Sequence, residues 1–156
     1  MFRKIIDFIL HPLRKCRLWL KFKKFIDCIE TGLMDDFLEI LLSAMRIMFC
    51  FSHEYRRNIE GFNGRYTFKS KDGRIAASAI IANNKMTVKK KEIPDTNVTV
   101  VFEDANALFH FLVAADPDVF AFMLENKLNY NGNLNYIMKF AYMAKHLKFM
   151  LERIFK

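Results

Sequence analysis

The chain has 156 residues, a formal charge of +8, and an apolar content of 53% that includes 17 Phe and 9 Met. A chain of this length forms one domain with room for an appendage and buries roughly 68–70% of its unfolded surface. Three cysteines, Cys16, Cys28 and Cys50, make no paired framework and no CxxC motif, which excludes a disulfide scaffold and points to a reducing compartment.

The charge is unevenly placed. Residues 1–26 hold eight Lys/Arg against the single acid Asp7, a surplus of +7, while the other 130 residues hold 17 basic and 16 acidic side chains. Basicity therefore belongs to the N-terminal segment. Pro12 marks a break or kink after an apolar start. From Leu13 a helical wheel places Leu18, Trp19, Phe22, Phe25, Ile26 and Ile29 in one arc, with Arg17, Lys21 and Lys24 on another side. Charges interrupt every apolar run well short of the roughly 20 residues that span a bilayer. A cleavable leader would need a continuous apolar core, so the expectation is cytoplasmic exposure with peripheral membrane association.

A basic amphipathic helix with Trp and Phe on its apolar arc suits an anionic membrane surface, and Arg14, Arg17, Trp19, Lys21, Phe22, Lys24 and Phe25 are the candidate contacts. Two alternatives stay open for residues 1–31. The arc packs on the protein's own domain, or it meets a partner protein.

Thr31-Gly32 reads as a helix end, and Asp35 or Asp36 caps the next helix. From Phe37 to Phe51 apolar residues cover most of the wheel, so that helix must be covered on nearly all sides. Gly64 to Ser70 then alternates as a strand, and Lys71-Asp72-Gly73 reads as a hairpin turn of the Asp-Gly kind. Arg74 to Ala82 is the second strand, Asn83-Asn84 a turn, and Lys85 to Lys90 the third, with Met86 and Val88 on one side. After a loop at Ile93-Pro94-Asp95, Asn97 to Phe102 is the fourth strand, and Asp104 caps a helix carrying Ala107, Leu108, Phe111 and Leu112.

Asp116-Pro117 opens a further helix, with an acidic N-cap and proline at the first helical position. Lys127 to Asn131 alternates as a short fifth strand, Gly132-Asn133 breaks it, and a long amphipathic helix runs to Lys156. The fold class is α+β: a five-stranded, mostly antiparallel sheet with helices gathered on one face.

Three stretches carry a resemblance to a known family. Tyr66-Thr67-Phe68-Lys69-Ser70-Lys71-Asp72-Gly73 forms a first strand and turn. Asn97 to Phe102 leads into an acidic-capped helix. The Asp116-Pro117 helix continues through Lys127-Leu128-Asn129-Tyr130-Asn131-Gly132-Asn133 to the last helix. Over about residues 33–148 the chain resembles the sterol carrier protein type-two family of small lipid-binding domains. It departs from the family at Asn126, where glycine is usual, and it lacks the C-terminal targeting tripeptide of peroxisomal members. Residues 1–32 are then a basic helical extension and residues 33–156 the sterol-carrier-like domain.

The resemblance implies a hydrophobic tunnel between sheet and helices for a sterol, fatty acyl, phospholipid or isoprenoid chain. Each buried methylene stabilises by about 0.8 kcal/mol, so some fifteen carbons contribute on the order of 12 kcal/mol before ordering costs. The candidate lining is Phe109, Leu112, Phe120, Met123, Leu124, Tyr136, Ile137, Phe140 and Met143. Such a site needs no cofactor or metal. The alternative function is an accessory protein presenting a hydrophobic, quinone-type intermediate to partner enzymes, since bacterial quinone-biosynthesis factors are similar to this family.

Catalysis finds no support in the motifs. His11, His53, His110 and His146 are scattered, His53-Glu54 lacks the second histidine of a zinc helix, and Asp35-Asp36 reads as a cap. There is no GxSxG motif and no glycine-rich phosphate loop. Nucleic acid is not expected as a partner either: Tyr66 and Phe68 alternate on a strand, but their spacing does not match an RNA-recognition sheet and the domain has no basic surplus.

Overall fold

A computed structural model describes residues 20, 22–25, 27, 36–114 and 118–155. Helix α1 (Phe37–Phe51) is followed by the short helix α2 (His53–Arg56) and a 3-10 turn (Arg57–Ile59). Strands β1 (Gly64–Ser70), β2 (Ala76–Ala82), β3 (Lys85–Lys89) and β4 (Val98–Phe102) come next. Helices α3 (Ala105–Val113) and α4 (Val119–Leu124), strand β5 (Leu128–Gly132) and the long helix α5 (Leu134–Phe155) complete the order. The sheet runs β3-β2-β1-β4-β5, antiparallel throughout except for the parallel β1–β4 pair.

Turn chemistry fixes the register. Asn83 and Asn84 both take positive φ, 52° and 58°, as a two-residue hairpin of the mirror-image type requires, and this locks Ala82 opposite Lys85. The β1–β2 connection is wider than an Asp-Gly hairpin. Lys69 pairs with Ala76, so β2 begins two residues later than the alternation suggests. The Ser70 hydroxyl and the Arg74 N–H both donate to Asp72, the Ile75 N–H donates to Ser70 Oγ, and Gly73 sits at φ 76°. These side-chain bonds hold the chain in a loop that a ladder would otherwise have closed.

The parallel pair dictates the rest of the architecture. After β3 the chain lies at one edge, yet β4 must sit beside β1, so the connection has to cross β2 and β1. Helices occupy one face, and the crossing runs over the other. There Ser78 Oγ donates to Lys91 O at 2.6 Å, Arg65 donates to Pro94 O at 2.9 Å, and Lys69 pairs with Glu92 at 3.2 Å. Thr67 and Ser78, bonded to each other at 3.0 Å, become fully buried polar residues beneath it. Asn97 ends the crossing: its N–H donates to Arg65 O and its Oδ1 accepts from the Arg65 N–H, both at 2.8 Å.

Helix starts follow the acidic residues, with one shift. Asp104 caps α3, accepting from the Ala107 N–H at 2.8 Å. Asp36 occupies the cap position of α1 without a side-chain bond, and Asp35 lies outside the described residues. Asp118, not Asp116, is the cap seen for α4, accepting from the Ala121 N–H at 3.0 Å. The expected Asp116-Pro117 start falls outside the described residues. Asn126 takes φ 57°, the left-handed conformation that glycine adopts most readily and that asparagine tolerates best among the others.

Candidate functional site: the apolar layer between sheet and helices

The register places Met86 and Val88 of β3, Ala77, Ala79 and Ile81 of β2, Tyr66 and Phe68 of β1, Val98, Val100 and Phe102 of β4, and Leu128 of β5 on one face of the sheet. Apart from half-buried Val88, every one of them is buried. Opposite them stand α1, α3 and α5. Each contributes a stripe at helical spacing, such as Leu38, Leu41, Leu42 and Met45 on α1 and Ile137, Phe140, Ala144 and Leu147 on α5.

Aromatic rings dominate the layer. Phe140 lies 4.5 Å from Phe68 and 5.5 Å from Tyr66, centroid to centroid, and Phe37 meets Phe109 edge-on at 4.9 Å. Beside β4, Phe102, Phe111 and Phe122 follow one another at 5.9 and 5.4 Å. Tyr66 is the polar exception. Its ring stacks on Phe68 at 6.0 Å and meets Tyr136 edge-on at 5.9 Å, and its hydroxyl is buried without a hydrogen-bond partner among the described residues. Burial, with Tyr136 adding to it, pushes the Tyr66 phenol well above its ordinary range. Tyr55 makes the contrasting case. Its ring stacks on Phe49 at 4.5 Å and its hydroxyl donates to Met143 O at 2.8 Å, which ties α2 to α5.

The candidate lining residues separate into three groups. Phe109, Leu112, Ile137, Phe140 and Met143 are buried in the layer. Met123 and Tyr136 are partly buried against it. Phe120 and Leu124 face outward, 63% and 85% exposed. Helix α4 turns Val119 and Phe122 inward in their place, because its hold on the core is Phe122 against Phe111. Residues of the sheet were missed by a reading that drew candidates from helices alone. The alternation that paired Met86 with Val88 also places Tyr66 and Phe68 inward.

Of the candidate membrane contacts, Arg14, Arg17, Trp19 and Lys21 lie outside the described residues. Residues 20, 22–25 and 27 are helical, with Leu20 and Lys24 exposed. Phe22 and Phe25, placed on the membrane-facing arc by the wheel, are instead 2% and 1% exposed within the protein core, where Phe25 stacks on Phe37 at 5.8 Å. The physical reason is the apolar coverage of α1, which needed a further element on its outer side.

A separate small cleft of about 90 Å³ lies beside α3 and is lined by residues including Asp104, His110 and Lys127. Its Asp104 is committed to the α3 cap. No group of three or more His, Cys, Asp or Glu side chains arranged to hold a metal occurs among the described residues, and none of their helices is long and apolar enough to cross a membrane.

No protein-family model matches the chain, and no curated protein matches its sequence. Among solved structures the chain is similar to the UbiJ-SCP2 ubiquinone synthesis protein, with 14% identity over 62% of this chain and 75% of that one and a TM-score of 0.49. It is similar to sterol carrier protein 2 from Yarrowia lipolytica in its apo form, with 19% identity over 70% and 88% and a TM-score of 0.49. It is also similar to the stereoselective inverting sec-alkylsulfatase Pisa1 from Pseudomonas sp., with 13% identity over 56% of this chain but only 14% of that one and a TM-score of 0.50. At such identities the likeness is one of fold. The chain folds as an α+β domain, its five-stranded, mostly antiparallel sheet carrying the helices on one face.

Proposed function

We propose that this protein binds one long apolar molecule, such as a fatty acyl, phospholipid, sterol-like or isoprenoid chain, in a tunnel between the inner sheet face and helices α1, α3 and α5. The observation that carries the reading is the make-up of that layer. Ala77 and Ala79 stand on β2 where a strand under helices ordinarily carries large side chains, and the rings of Tyr66, Phe68 and Phe140 gather around the neighbouring positions. Phe109, Leu112, Ile137, Phe140 and Met143 line the tunnel, with Tyr136 and Met123 towards its rim. Met and Phe adapt their shape to a guest with little directional demand. The role is carriage without chemistry, and no cofactor is required.

Extraction of the purified protein and native mass spectrometry test this reading. The expected result is a co-purified lipid mass or uptake of an added fluorescent fatty acid. A clean apo mass that also ignores the probe sinks it.

The N-terminal segment adds reversible attachment to an anionic membrane. Lys24 is exposed, as is Leu20, and Arg14, Arg17, Trp19 and Lys21 belong to the same basic run. Phe22 and Phe25 serve as the dock that holds the segment to the domain. Each cation near an anionic leaflet contributes about 1 kcal/mol, so several together hold the protein reversibly. Liposome co-sedimentation with neutral and anionic vesicles checks it, and equal binding to both removes the electrostatic account.

A second reading, presentation of a hydrophobic quinone-type intermediate to a partner enzyme, draws support from α5. Met138, Tyr142 and Phe149 are exposed along one side of that helix, where a partner's apolar surface would cover them.

A further inference from the structure

The Tyr66 hydroxyl is an anomaly in an otherwise apolar layer. Tyr66 is 0% exposed, and its oxygen has no hydrogen-bond partner among the described residues. A buried hydroxyl left unmade costs on the order of 1–3 kcal/mol relative to one that is paired. Phenylalanine in the same place would pack the same rings against Phe68, Tyr136 and Phe140 without that cost. The surroundings also limit what could meet the oxygen. The rings packed around that of Tyr66 are Phe68, Tyr136 and Phe140, and a Cβ on Gly64 would come within 2.8 Å of Phe62 and 2.9 Å of Tyr66, so rings and backbone crowd the edge of the phenol. Phe62 and Tyr136, 5.4 Å apart, are only partly buried, and Lys139 Nζ lies 5.6 Å from the Phe62 ring. The two rings thus form a rim at the start of α5, with the phenol behind it.

We infer that Tyr66 is a specificity-determining residue whose hydroxyl donates a hydrogen bond to an uncharged oxygen on the bound chain, an ester, ketone, quinone or hydroxyl oxygen. This rests on the tunnel proposed above and deepens it by assigning its ligand class: long apolar molecules bearing a neutral oxygen that reaches the inner side of the Phe62–Tyr136 rim. The phenol stays protonated at physiological pH, because its burial opposes ionisation, so it is available as a donor. A charged headgroup would stay outside, towards Lys139, since a dry ring-lined corner offers an ion no compensating partner.

The test compares methyl palmitate, which has one neutral acceptor group, with hexadecane, which has none. Each displaces a fluorescent hydrocarbon reporter from the full chain and from Tyr66→Phe. The expected result is that the ratio of ester to alkane affinity falls about tenfold in the variant. The carbonyl stretch of methyl palmitate bound to the unaltered protein should also lie below its value in hexane, and the shift should vanish in the variant. That spectroscopic measurement decides the matter even should Tyr66→Phe not fold. If both ligands bind but the ratio is the same in the two proteins, or the stretch matches hexane, the assignment of Tyr66 is overturned while the tunnel stands. If neither ligand nor reporter binds the unaltered protein, the tunnel and this assignment fall together.

Discussion

The two faces of the sheet are held by opposite kinds of interaction, although the same strands supply both. On β1, Tyr66 and Phe68 point into a layer of rings and aliphatic side chains, whereas Thr67 between them points into a hydrogen-bonded seam with Ser78 and the crossing segment. The inner face is stabilised by area removed from water, which is indifferent to direction, and the proposed carrier role has its side chains rearrange around a guest. The outer face is stabilised by directional bonds with fixed partners, and it cannot move without leaving buried polar groups unpaired. One side of the sheet therefore serves as a scaffold and the other as a compliant surface.

Four measurements sharpen or break that contrast. The largest effect is expected on the inner face, where Phe140→Ala removes the ring that contacts both Tyr66 and Phe68 and should cost about 3–5 kcal/mol in denaturant unfolding. A bound lipid filling the gap should recover part of that loss, and no recovery on lipid addition would count against a compliant layer. On the outer face Ser78→Ala strips Thr67 and the Lys91 carbonyl of their shared partner. A loss of about 2 kcal/mol is expected, with no recovery by lipid, because nothing apolar can replace those bonds.

The third measurement is pH. Both buried phenols, Tyr55 and Tyr66, titrate higher in the folded chain than in the unfolded one, with burial as the main cause. Their neutral forms are thus favoured by folding, and that stability is fully present below the unfolded value near pH 10. As pH rises above it the unfolded chain gives up protons that the folded chain keeps, so stability falls by about 1.4 kcal/mol per pH unit for each phenol until its folded value is reached. Thermal unfolding followed from pH 8 upward should steepen accordingly, and Tyr66→Phe should make the decline shallower. The smallest effect is reserved for the outward side of α4. Phe120→Ser and Leu124→Ser should each change stability by less than about 0.5 kcal/mol and leave lipid uptake intact. A large loss of uptake would place these two residues at the tunnel after all.

The reading of individual elements succeeded where a local rule dominated. The Asn83-Asn84 turn, the Asp104 cap and the Lys127–Asn131 alternation each follow from a few neighbouring residues, and the turn, cap and strand are all found. Gly132, expected as the break after this strand, is instead its last residue. It takes φ 116°, and an added Cβ would lie 2.2 Å from Asn97 O, so only glycine closes β5 against the start of β4. The α4 face was not legible. Six residues carrying Val119, Phe120, Phe122, Met123 and Leu124 are apolar nearly all round, so periodicity could not say which side meets Phe111.

By itself the chain determined the succession of its strands and main helices, the asymmetry of its charge and the alternation of β1, β3 and β5, because those properties are set by residues within a few positions of one another. Three things waited for the tertiary structure: that the crossing segment buries Thr67 and Ser78, that Phe22 and Phe25 pack beside Phe37, and that the Tyr66 oxygen is left without a partner among the described residues while the Tyr55 oxygen finds Met143. Each depends on groups more than ten residues apart in sequence, and whether such groups meet is decided by how layers pack, which no local pattern encodes.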